Sequence, residues 1–68
     1  MKRWKPKEGE YFYCVDDYFS VWGDFWRDVI FQENRFLAGN CFRTEKQAQE
    51  FARRVRKLAR EYRREVGE

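Results

Sequence analysis

The sequence predicts an α+β fold: a small three-stranded antiparallel sheet followed by one long C-terminal amphipathic helix, in the order βββα. Three observations carry it. Tyr11-Phe12-Tyr13-Cys14-Val15 is an unbroken aromatic and β-branched run, the residue types that favour strands. Phe19 to Trp26 follows after Asp16-Asp17-Tyr18, and Asp tolerates turn geometry and bonds its own backbone. From residue 45 onward, apolar residues recur at three/four spacing behind a capping threonine.

Each element has a local reason. Residues 1–10 read as an extended lead-in: Pro6 pushes Lys5 to extended geometry, Gly9 allows a turn, and Trp4 is placed as a lid on the core edge. The first strand, Tyr11 to Val15, has no polar face, so cover is expected on both sides. The second alternates Ser20, Trp22, Asp24 and Trp26 against Val21, Gly23 and Phe25, with Gly23 as a candidate bulge. Residues 27–34 are too few for periodicity to separate strand from helix; a loop with at most a turn of helix is expected. Arg35 to Phe42 is read as the third strand, with Phe36, Ala38 and Phe42 on one face and Gly39-Asn40 bending or finishing it. The helix begins at Thr44, where T-E-K-Q sets Gln47 at the third position of a capping box. Ala48, Phe51, Ala52, Val55, Leu58, Ala59, Tyr62 and Val66 form its apolar stripe, Glu50 and Arg54 pair one turn apart, and Gly67 ends the run. The chain is thus one domain over 1–68: lead-in 1–10, sheet 11–43, helix 44–66.

Length sharpens this. A 68-residue chain buries only roughly 60% of its unfolded surface. A helix over 45–66 is about 33 Å long, whereas short strands span roughly 17–20 Å. One small sheet cannot cover the whole stripe, so Leu58, Tyr62 and Val66 overhang. Aromatics make up 21% of the residues, more than one thin core requires. Both facts point to a homo-oligomer, a dimer or higher.

Charge is segregated. Lys2, Arg3, Lys5 and Lys7 precede an acidic stretch over 8–34 whose lone base is Arg27, and the tail from residue 45 is again net basic. Such a layout suits association between unlike patches or an anionic partner. No stretch is long and apolar enough to span a bilayer, and residues 1–7 lack the apolar run of a signal peptide. With two cysteines the expected compartment is a reducing cytosol.

Chemistry is bounded by what is missing. There is no histidine, the usual acid/base near neutral pH. Cys14 and Cys41 read first as small buried residues, and Asp16-Asp17 as a solvated turn. Asp24 and Asp28 lack the spacing of a calcium loop. No cofactor motif and no metal ligand set is visible, and the expected class is non-enzymatic. The helix start is different: it offers free N–H groups and a positive dipole end to an anion. Arg35 and Arg43 bracket it, and an indole can stack a base. The candidate ligand-binding residues are Trp22, Trp26, Arg35, Asn40 and Arg43. A capped strand–helix joint with solvated arginines accounts for the same residues without a ligand.

Spread over most of the chain is the pattern W-x-P-x-x-G-E-x-x-Y, then W-x-D, then R-x-x-x-G-N-x-F-x-T-x-x-x-A. It is carried by Trp4, Pro6, Gly9, Glu10, Tyr13, Trp26, Asp28, Arg35, Gly39, Asn40, Phe42, Thr44 and Ala48. In this it resembles small uncharacterised proteins of bacteriophages and prophages, although the hairpin region differs and Leu37 stands where a lysine is common. The resemblance implies a context, a phage accessory protein acting in the bacterial cytoplasm against host defence, and no activity. Three functions are therefore weighed: sequestration of a small anionic, nucleotide-type ligand; protein–protein inhibition of a host defence enzyme; and nucleic-acid binding through the basic helix.

Overall fold

The computed structural model describes residues 3–67. β1 (Tyr11–Val15) and β2 (Val21–Phe25) form a two-stranded antiparallel sheet, followed by helix α1 (Ile30–Leu37) and the long helix α2 (Glu45–Glu65). The β1 bounds are those expected from its run of rings and branched residues. β2 is trimmed at both ends. Its register is regular, with Cys14 opposite Trp22 and Tyr13 opposite Gly23, so Gly23 marks no bulge. What Gly23 provides is room: a Cβ there would sit 2.5 Å from the Tyr11 ring, which lies across it.

The hairpin turn is built by Asp16. Its carboxylate accepts from the backbone N–H of Tyr18 and of Ser20, both at 2.9 Å. Phe19 takes a left-handed φ of 62° and its N–H bonds the Asp16 carbonyl. This is the loop type in which a turn is followed by one left-handed residue.

The expected third strand is absent as a strand, and α1 occupies its first half. Residues 30–37 coil, and Gly39 (φ 84°) ends the helix. The Asn40 N–H bonds the Arg35 carbonyl at 2.8 Å and the Gly39 N–H bonds that of Phe36 at 3.0 Å, the paired bonds of a Schellman cap. Gly39-Asn40 is thus a helix stop rather than a strand end. The chain then turns back along the free edge of β1. Only Phe42 pairs there, exchanging bonds of 2.9 and 2.8 Å with Tyr13 as an isolated bridge.

Both faces of β1 are covered, as its lack of a polar face requires. Partners opposed in a ladder share a face, so Phe12 and Cys14 lie with Trp22. On this side Phe12, Cys14 and Trp26 form the buried centre, packed by Trp4, Phe36 and Cys41. Phe12 and Trp26 meet edge to face at 5.6 Å. Burying a side chain such as Phe12 is worth about 1.5–3 kcal/mol. Phe42 falls on the opposite face, where its ring meets Phe51 of α2 at 5.0 Å. The hairpin is therefore sandwiched between the lead-in with α1 on one side and α2 on the other.

Thr44 caps α2 as its sequence announces, with Gln47 completing the box. Ala48 and Ala52 are buried. Arg56 donates to the Phe19 carbonyl at 2.8 Å, tying α2 to the hairpin tip. Ala59 is still half-buried near Phe19 and residues 60–67 are exposed, and the molecule is elongated, 44 × 25 × 23 Å.

Candidate functional site

The five residues expected at the site do not converge on one surface. Trp26 is 2% exposed, so its indole offers no free face. Asn40 spends its amide on β1: Oδ1 accepts from the Val15 N–H at 2.7 Å and Nδ2 donates to the Val15 carbonyl at 2.6 Å. The side chain thereby supplies the ladder bonds that the short 40–42 segment cannot make with its own backbone. Arg35 and Trp22 do come together. The guanidinium lies 4.6 Å from the centre of the Trp22 ring, within cation–π range, and its Nη1 contacts Cys14 Sγ at 3.2 Å.

Arg43 stands apart from these four, at the start of α2. There an open groove of about 1100 Å³ runs between the lead-in, the 39–44 segment and the first three turns of the helix. Trp4, Phe42 and Phe51 give it apolar walls, and Arg3, Arg43, Lys46, Arg53 and Arg54 line it with positive charge. Some of that charge is already engaged. Glu50 pairs with Arg53 at 2.6 Å and Arg54 at 2.9 Å, and these partners hold its carboxyl below the usual range. Arg3 donates to the Phe36 carbonyl and stacks 4.0 Å from the centre of the Phe36 ring. Among the described residues, Arg43 and Lys46 have no carboxylate within ion-pair distance. They sit beside a helix N-terminus whose dipole adds to their field.

The groove brings in residues that local sequence patterns do not single out. Trp4 reaches it because the lead-in crosses the sheet, held by the Gly9 N–H to Trp26 carbonyl bond at 2.8 Å and by Lys5 to Glu33 at 2.9 Å. Lys46 follows from the cap, as the second helical residue. Gln32 was equally hidden: it is 1% exposed, accepts from the Arg27 N–H at 2.7 Å and donates to the Phe25 carbonyl at 3.0 Å. It plugs the outer edge of β2 and takes no part in the groove.

Neither thiol is set up as a nucleophile at neutral pH. Burial pushes Cys41 up to about 11, with nearby Cys14 adding to the effect and Arg3 opposing it. Burial also raises Cys14, against the pull of Arg35. Among the described residues no cluster of His, Cys, Asp or Glu could hold a metal ion, and no helix is long and apolar enough to cross a membrane. What the groove can do chemically is hold an anion against apolar rings. No family model, curated protein or solved structure matches the chain.

Proposed function

We propose that the chain is a non-enzymatic phage accessory protein of the bacterial cytoplasm, acting against host defence by sequestering a small anionic, nucleotide-type ligand as a homo-oligomer. One observation carries the reading: the ring-walled, cationic groove at the start of α2, with Arg43 and Lys46 free to pair. Phosphate matches a guanidinium fork beside free helix N–H groups, and a base matches the faces of Trp4 and Phe51. Relative to the residues singled out from sequence, Arg43 remains and the site moves away from Trp22, Trp26, Arg35 and Asn40.

The oligomer part rests on α2. Leu58, Tyr62 and Val66 are 65%, 60% and 47% exposed, an apolar line that a second copy would cover. The same line suits a second reading, docking onto a host defence enzyme, and Ile30 and Leu37 add exposed apolar surface on α1.

Native mass spectrometry of the untreated protein, followed by thermal-shift measurement with a panel of nucleotides and cyclic nucleotides, tests the proposal. A retained small molecule, or a midpoint that climbs with nucleotide concentration, is the expected result. A ligand-free monomer that no nucleotide stabilises would overturn it. Capture of one stoichiometric host protein would select the second reading.

A further inference from the structure

We propose that Cys14 and Cys41 form a thiol–disulfide site, closing an intramolecular disulfide between β1 and the 39–42 segment by exchange with a low-molecular-weight disulfide such as oxidised glutathione. The argument is one of register. Tyr13 and Phe42 exchange both backbone bonds, so they are a hydrogen-bonded antiparallel pair. The next pair along must be Cys14 and Cys41, in the non-hydrogen-bonded position. Opposed Cα atoms there are about 4.5 Å apart, inside the roughly 4.4–6.8 Å window of disulfides. One position further, the Asn40 amide clamps Val15, so the alignment is held on both sides of the two cysteines.

Two other observations agree. Both side chains pack into the same cluster around Phe12 and Trp26, which puts them on one face of the strand. Each cysteine is a free thiol here. Cys14 is fully buried, whereas Cys41 is half-buried and lines the groove.

That asymmetry sets the order of steps. The Cys41 thiolate, a minor species at neutral pH because burial raises its thiol pKa, attacks one sulfur of the external disulfide, forming a mixed disulfide and releasing the first small thiol. Cys14, whose sulfur already touches the Arg35 guanidinium at 3.2 Å, then attacks the Cys41 sulfur and releases the second. The protein gives up two protons and two electrons. The external disulfide takes both and leaves as two thiols.

The test equilibrates the full chain with glutathione redox buffers, quenches with acid, alkylates remaining thiols and reads intact mass. The expected product has lost two hydrogens and carries neither glutathione nor alkyl group. Trypsin should then release one reducible species joining peptides 8–27 and 36–43. The glutathione ratio at half-oxidation should lie tenfold or more toward the reducing side of that for the urea-unfolded chain, because the fold presents the pair. Cys14→Ser should stop at one glutathione on Cys41. A wild-type chain that retains glutathione on Cys41 with Cys14 still alkylatable would overturn the proposal, as would one that oxidises no more readily folded than unfolded.

Discussion

The two halves of α2 carry the same apolar period and meet opposite fates. In the first half, Ala48 and Ala52 are buried and Phe51 packs on Phe42. In the second, Leu58, Tyr62 and Val66 continue the stripe into solvent. The fully buried positions are alanines, whereas the exposed positions carry the larger Leu58, Tyr62 and Val66. Burial is therefore set by where the hairpin stops, not by the hydrophobicity of the stripe. Five residues of strand span about 17 Å, whereas 21 residues of helix span about 32 Å. Arg56 bonds the hairpin tip, and one turn further on Ala59 is the last half-buried residue of the helix.

Substitutions graded by this difference should separate the halves. The largest loss should come from the face opposite α2, where Phe12→Ala removes the buried centre at a cost of about 3–5 kcal/mol. In a chain this small that is expected to abolish cooperative urea unfolding. Asn40→Ala leaves the Val15 N–H and carbonyl without partners and should cost about 1–3 kcal/mol in the same assay. A comparable midpoint shift is expected for Ala52→Leu, since forcing extra methylenes into a packed site costs about 1–3 kcal/mol. Thr44→Ala breaks the capping box and should cost about 1 kcal/mol, with faster amide exchange confined to the first turn of α2. The smallest effect should come from Leu58→Ala at dilute concentration, under about 0.5 kcal/mol for an exposed site. If copies associate through the second half, that variant alone should lose the concentration dependence of the thermal midpoint. A Leu58→Ala loss as large as that of Ala52→Leu in a dilute monomer would erase the distinction between the halves.

Local rules reached some of this structure. β1, the Asp16 turn, the Thr44 box and the overhang were legible because each depends on neighbours in sequence or on length alone. α1 was not legible. Its eight residues mix Ile30, Phe31, Phe36 and Leu37 without a clean stripe, and Phe36, Ala38 and Phe42 imitate strand alternation. Its stability is non-local in part, through buried Gln32 bonding the backbone at Phe25 and Arg27, and its end depends on the left-handed Gly39. The candidate site divides in the same way. Arg43 was visible beside the cap, whereas Trp4 joins only because the lead-in crosses the sheet. Trp22 and Trp26 look equivalent in sequence, yet Trp26 lies in the buried centre and Trp22 packs at its margin beneath Arg35.

The central claim is that the start of α2 holds an anion, and calorimetric titration of the whole protein with nucleoside phosphates, at low and high salt, tests it most directly. The account predicts saturable binding that weakens as salt rises, falls about tenfold or more in Arg43→Ala through loss of a charge-assisted hydrogen bond, and is unaffected by Trp22→Phe. Absence of heat across the series, or binding that Arg43→Ala and Lys46→Ala together leave intact, would contradict it.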